Sequence, residues 1–308
     1  MYTHSDLESH LLSAYKQIRT LNMPEWAVHK RNSPSELVIP TIPFVGKHYV
    51  EQQTKILVYA SAENLSGYWK GNDKHWPGDW LDCDELAQNR HRWCFDNESM
   101  QADRRLPFVH LGPLEDGGLL AAVMFLSAKL RSYEPPAPRE FYETIAFGNY
   151  CKYSIETEFQ HAMRDPQYAA ASQKKANAHN IDYAAKLDYI EASKAYVRAD
   201  IETLQPDYII VPNMNDSGFL NSIRGRAKII RIHQINASVV NNIAPNKRNH
   251  HCSKYTPYDP ALLPAEIRAT YNSIMRINHQ NYLYIFSYLD AVLEKVNVQS
   301  KDGDVTTK

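Results

Sequence analysis

Lys55-Ile56-Leu57-Val58-Tyr59-Ala60, closed by Ser61, is a short and continuous apolar run. Such a run is expected of a strand buried in a parallel sheet. Two later stretches have the same character, Asp207-Tyr208-Ile209-Ile210-Val211-Pro212 and Lys228-Ile229-Ile230-Arg231-Ile232-His233. Phe141 to Tyr153 reads as a further strand, with loop character at Gly148-Asn149. Between these runs the pattern turns helical. Gly117 to Arg131 predicts a buried helix, ended by Ser132-Tyr133-Glu134-Pro135-Pro136-Ala137-Pro138. Glu156 to Leu204 is helical and polar, with a break near Asp165-Pro166. Strands separated by helices indicate an α/β protein, a parallel sheet with helices on its faces.

Outward from this centre, residues 5–22 form an amphipathic helical pattern, with Leu7, Leu11, Leu12, Ala14, Tyr15 and Ile18 near helical spacing. Pro24 and Pro34 punctuate the loop that follows. Residues 66–112 have little periodicity and hold four of the five tryptophans, which suggests a folded cap or a contact surface. Residues 264–297 close the chain with long helical segments, and Gln299 to Lys308 reads as a flexible tail. No internal repeat is visible.

The chain has 308 residues, 44% hydrophobic and 22% charged, enough for one large α/β domain or two small ones. A formal net charge of −1 excludes a uniformly basic nucleic-acid binder, so any polyanion site must be a local patch. The longest apolar run near a helix pattern, Leu119 to Leu126, is far short of a membrane span. The N-terminus MYTHSDLESH has no basic region leading into an apolar one, so a cytoplasmic location is expected. Cys83, Cys94, Cys151 and Cys252 are unevenly spaced with no C-x-x-C, which reads as four reduced thiols. That spacing gives Cys83, Cys94 and the His250-His251-Cys252 run little support as a metal site. No P-loop, H-E-x-x-H or G-x-S-x-G occurs, which argues against the ordinary nucleotide hydrolases, zinc proteases and serine hydrolases.

Charge is segregated in one interval. Between Asp216 and Asp259 there is no acidic residue, while Arg224, Arg226, Lys228, Arg231, Lys247, Arg248 and Lys254 fall inside it, with His233, His250 and His251. Ser217, Asn221, Ser222, Ser238, Asn241 and Asn242 interleave with them. Basic groups and short donors suit phosphate contacts, which position a duplex without reading it. A solvated basic loop is the plainer alternative.

Three segments, in order, resemble the uracil-DNA glycosylase superfamily. Ile56-Leu57-Val58-Tyr59-Ala60-Ser61-Ala62-Glu63-Asn64-Leu65 is similar to its first strand and water-handling loop, preceded by the entry-like Ile42-Pro43-Phe44-Val45-Gly46-Lys47. Ala146-Phe147-Gly148-Asn149-Tyr150-Cys151-Lys152 is similar to the strand end whose Asn reads the base. Arg231-Ile232-His233-Gln234-Ile235-Asn236-Ala237-Ser238 is similar to the last strand, with its histidine and duplex-entering loop. Leu204 to Pro212 matches the strand between them. The resemblance covers residues 40–65 and 140–240. It implies a three-layer α/β/α fold with a central, mostly parallel four-stranded sheet. The implied organisation is an N-terminal helical extension over 1–39, a glycosylase-like domain over 40–298 with insertions near 66–112 and 156–200, and a tail over 299–308.

The implied activity is that of a monofunctional DNA glycosylase, which flips a nucleotide and hydrolyses its N-glycosidic bond. Its transition state carries positive charge on the sugar and negative charge on the departing base. Glu63 is the candidate carboxylate for the sugar and the water, with Asn64 as rival should Glu63 cap a helix. His233 is the candidate donor to the leaving base, unless it is structural. Asn149 is the candidate reader of a pyrimidine edge, unless it holds a turn. Phe147, Tyr68 and Trp76 are candidate base-binding aromatics, and Arg224, Arg226, Arg231, Asn236, Ser238, Lys247 and Arg248 candidate DNA contacts.

Several positions depart from the family. The first loop lacks the usual proline. Leu65 stands where uracil-specific members carry a tyrosine that blocks a substituent at the base's 5-position. Gln234 replaces the proline after the histidine. An open 5-position points to a modified pyrimidine, such as a glucosylated 5-hydroxymethylcytosine of bacteriophage DNA, and to antiviral defence. Uracil repair and a non-catalytic DNA-binding module are the alternatives. Tyr153 after Lys152 does not supply the cysteine of cluster-bearing relatives, so neither an iron–sulfur cluster nor another cofactor or metal is expected. The expected partner is single- or double-stranded DNA, with no membrane, and the expected state is a monomer.

Overall fold

A computed structural model describes residues 2–22, 40, 42–62, 119–152, 187–213, 216, 218–233, 235, 252, 254–273 and 280–303. Among them are five strands: β1 (Phe44–Val45), β2 (Ile56–Ala62), β3 (Ala146–Cys151), β4 (Tyr208–Pro212) and β5 (Lys228–Ile232). Seven α-helices accompany them: α1 (His4–Asn22), α2 (Leu119–Arg131), α3 (Pro138–Tyr142), α4 (Leu187–Leu204), α5 (Phe219–Ile223), α6 (Ala265–Ser273) and α7 (Asn281–Gly303).

The strands form one mixed sheet in the order β1-β3-β2-β4-β5. The pairings β3–β2, β2–β4 and β4–β5 are parallel, and β1 runs antiparallel to β3. The expected count of four strands is thus corrected to five. The extra strand is two residues long, too short to show a period of its own in sequence.

Alternation along the strands divides the core into two layers. Ile56, Val58, Phe147, Ile230 and Ile232 face α2 and α7 and pack with Phe125, Phe286 and Leu289. Leu57, Tyr59, Ala146, Tyr150, Ile209 and Val211 face the other way and pack with Leu7, Leu11 and Tyr15 of α1 and Val197, Ile201 and Leu204 of α4. Helices on both faces of one sheet make three layers, α/β/α. The N-terminal helix, read from sequence as an extension, shares this second layer: Leu11 is 0% exposed.

Two further differences from the sequence reading have local causes. Phe141 and Tyr142, expected at the start of a strand, end helix α3, because Pro138 at its first turn supplies the helical φ at no hydrogen-bond cost. Helix α7 continues through Gly303, into the stretch read as a tail.

Candidate functional site

In an open parallel sheet, ligands bind outside the carboxyl ends of strands, where successive connections leave in opposite directions. Here β2 connects to β3 on one side and β3 connects onward to β4 on the other, so the switch lies between β2 and β4. The edge that matters therefore carries the strand ends Ala62, Cys151, Pro212 and Ile232.

Two of the candidate residues stand at this edge. Asn149 pairs in register with Ala60 of β2 and is 4% exposed. Alternation puts it on the same face as Phe147, which packs against Tyr142 at 5.6 Å between ring centroids. His233 leaves β5 directly after Ile232. Its backbone N–H donates to the Tyr288 hydroxyl of α7 at 2.9 Å, and its ring stands 5.4 Å from that of Tyr288. Tyr288 and Phe147 belong to the same core layer, so Asn149 and His233 occupy one edge and one side of the sheet. With β2 and β4 between them, their backbones are about 14 Å apart. Burial pushes the Tyr288 phenol up to about 12, so it meets the His233 amide as a neutral hydroxyl.

Other candidates are placed elsewhere. Arg226 precedes β5 and pairs at 3.3 Å with Asp207, which precedes β4. Arg224 donates to the Ala227 carbonyl in the same turn at 3.0 Å. Both arginines lie at the amino edge of the sheet, a full strand length from Asn149 and His233. The sequence reading of one basic patch fails for this pair, because a strand intervenes between Arg226 and His233 and carries the chain across the sheet. A cavity of about 470 Å³ at that amino edge, lined by Tyr2, Leu7, Val50, Lys55, Thr203, Leu204 and Gln205, is likewise remote from the candidate site.

Arg231 is committed to the protein rather than to solvent. Its Nη2 donates to Asp216 Oδ2 at 2.8 Å. Asp216 is 4% exposed, and its other oxygen accepts from Gly218 N–H at 3.1 Å. Gly218 opens α5 at φ 76°, a left-handed turn that favours glycine. The fields of Asp216 and Arg231 both act on the Tyr150 hydroxyl, which burial pushes above its ordinary range. Among the described residues, Arg231 Nη1 and the Tyr150 hydroxyl have no hydrogen-bond partner, and both are buried. Glu63, Asn64, Tyr68, Trp76, Asn236, Ser238, Lys247 and Arg248 lie outside the described residues.

A buried polar cluster that the sequence reading missed sits behind Asn149, on the opposite face of the sheet. Asp200 of α4 accepts from the Tyr15 hydroxyl at 2.7 Å, the Tyr59 hydroxyl at 2.8 Å and Lys152 Nζ at 2.5 Å. The side chains of Lys152 and Asp200 are 0% exposed. The Lys152 ammonium lies over the Tyr59 ring, 5.0 Å from its centroid, and 5.7 Å from that of Tyr15. The Lys152 backbone N–H donates to Ser193 Oγ at 2.9 Å. Burial pushes the Lys152 ammonium down and the Asp200 carboxyl up, while their mutual attraction opposes both shifts. Burial, then the Asp200 charge, hold Tyr15 and Tyr59 far above the ordinary phenol range, so both stay donors. The sequence did carry a signal: Asp200 lies at helical spacing between Tyr196 and Leu204, a lone acid on an apolar stripe.

Among the described residues, no group of three or more His, Cys, Asp or Glu side chains is arranged to hold a metal ion. No helix among them is long and apolar enough to cross a membrane. No protein-family model, characterised protein or solved structure matches the chain.

Proposed function

We propose that this chain is a DNA glycosylase of the uracil-DNA glycosylase type, acting on a modified pyrimidine such as a glucosylated 5-hydroxymethylcytosine. The observation that carries the reading is that Asn149 and His233 stand at one edge and on one side of the sheet, two strands apart, although 84 positions separate them in sequence. The four mutually parallel strands, in the order second-first-third-fourth, support it, because that order puts the topological switch point between the two residues. A gap of about 14 Å between backbones suits a flipped nucleoside held at the base edge by one side chain and at the base oxygen by another.

In this reading the Asn149 amide presents a donor and an acceptor to the pyrimidine edge. Phe147 lends an aromatic wall on the same face. His233 donates to the base oxygen as the leaving group gains negative charge, with its backbone held by Tyr288. Glu63 or Asn64, next in the chain after β2, orients the water that attacks the sugar carbon. The glycosidic electron pair leaves with the base, and an abasic site remains. The pairing of Arg231 with buried Asp216, and the position of Arg224 and Arg226 at the amino edge, take these cations out of the proposed DNA-contact set. Phosphate binding then falls to Asn236, Ser238, Lys247 and Arg248.

The test is incubation of the protein with duplex and single strands carrying uracil, thymine mismatches, 5-hydroxymethylcytosine or its glucosylated form. Alkali-labile abasic sites are the readout. Cleavage at one base, lost in Glu63→Gln, Asn149→Ala and His233→Ala, is the expected result. Salt-sensitive DNA binding without abasic sites on any substrate would replace the enzyme by a binding module.

A further inference from the structure

We infer that the Asp200 carboxylate is a positioning group: it ties helices α1 and α4 to the carboxyl ends of β2 and β3 and so fixes the sheet edge that presents Asn149. Tyr59 is paired with Gly148, Ala60 with Asn149, and Ala62 with Cys151. The two groups that reach Asp200 from this pair of strands are Tyr59 of β2, one residue before the Ala60–Asn149 pair, and Lys152, three residues after it and one past the end of β3. Asn149 is thereby bracketed from the face opposite its own side chain. Tyr15 brings α1 to the same carboxylate, and Ser193 holds the Lys152 backbone from one face of α4. The Tyr59 and Tyr150 rings meet edge-on at 5.8 Å and fill the space between the strands' side chains.

Stability alone does not account for such a cluster. A buried ion pair is commonly matched or exceeded by well-packed apolar residues of similar volume. What apolar residues do not supply is direction: three donors converging on one carboxylate admit one relative placement of α1, α4, β2 and β3. The inference rests on the proposed function only for its activity readout.

The parent chain is compared with Tyr15→Phe/Tyr59→Phe/Lys152→Met/Asp200→Leu, which exchanges the whole cluster for apolar bulk and leaves no hydroxyl orphaned, and with Tyr15→Phe alone, which removes one donor. Thermal unfolding, amide hydrogen exchange at residues 60–62 and 149–152, exchange at Ile229–Ile232 of β5 as an internal control, and abasic-site kinetics are read on each. The expected result for the fourfold variant is an unfolding temperature at or above that of the parent, exchange faster by about tenfold at 60–62 and 149–152 with β5 unchanged, and kcat lowered with KM held. Tyr15→Phe is expected to move the same amides by a smaller factor. Unchanged exchange at 60–62 and 149–152 would overturn the inference, and so would exchange that rises equally in β5, since that is plain destabilisation. Absence of abasic sites with the parent chain refutes the proposed function, and the exchange pattern then decides the positioning role alone.

Discussion

Gly46→Ala tests whether strand β1 braces the candidate site as tightly as its contacts require. A Cβ at residue 46 would lie 2.3 Å from both the carbonyl carbon and the oxygen of Glu143. Ordinary carbon contacts begin near 3.5 Å, so the two backbones must part by about 1 Å. The bonds that hold them are short. Gly46 N–H donates to the Ile145 carbonyl at 2.9 Å, His48 N–H to the Glu143 carbonyl at 2.8 Å and Lys47 N–H to Glu143 Oε2 at 2.8 Å. Losing two of them costs about 2 kcal/mol net, and overpacking adds about 1–3 kcal/mol. The sum, about 3–5 kcal/mol, is a large share of the ~5–15 kcal/mol that holds a domain together. Gly148→Ala is the control. Its Cβ would meet the Pro43 Cβ and Cγ at 3.3 Å, a contact the ring relieves by moving a few tenths of an ångström, and about 1 kcal/mol is expected. Urea unfolding of both variants and the parent measures the difference. Gly46→Ala unfolding within about 0.5 kcal/mol of the parent would refute the close approach, and with it the placement of β1 against β3.

Two further outcomes are expected. Tyr288→Phe removes the acceptor of the His233 amide; urea unfolding should show a loss of about 1 kcal/mol, and abasic-site formation should fall in parallel with the shift of the His233 ring resonances. An unchanged His233 ring signal would mean that Tyr288 does not hold it. Cys252 is buried and its thiol is pushed up to about 12, against an ordinary value of 9.0. At pH 8 its thiolate fraction is therefore lower by about a thousandfold. Peptide mapping after iodoacetamide should find it unmodified in the native chain and modified in urea, and rapid native labelling would contradict its burial.

The parallel strands were legible because each is an uninterrupted apolar run, the pattern that burial on both faces demands. Ile56-Leu57-Val58 and Ile209-Ile210-Val211 have no polar face to disguise them, and each is fully buried. Helix α1 was legible for the complementary reason, a stripe at helical spacing. The antiparallel β1 was not, because two residues carry no period and their partners, Ala146 and Phe147, lie far along the chain. The misplacement of Arg224 and Arg226 has a geometric origin. Sequence distance compresses a strand into a few letters, whereas five extended residues carry the chain about 16 Å across the sheet. Arg224 and Arg226, which look clustered with Arg231 on paper, therefore lie at the other end of β5.

Lys152 and Asp200 illustrate the same limit from the energetic side. A lysine just past a strand and an aspartate within a polar-looking helix each read as solvent-exposed, because isolated burial of either charge would cost several kcal/mol. Each becomes tolerable only through the other, together with Tyr15 and Tyr59, and the four come from α1, β2, α4 and the residue just past β3. No local pattern announces a cost that only the tertiary fold offsets. The anomaly that survives in the sequence is Asp200 alone, an acid on the stripe of Tyr196, Val197, Ile201 and Leu204. An acid so placed requires buried donors, and the sheet face opposite it offers Tyr59 from β2 and Lys152 at the end of β3. The carboxylate thus connects the helix that begins the described chain to the pair of strands whose ends carry the candidate chemistry. By the inference above, a change in the seating of α1 reaches Asn149 through that carboxylate.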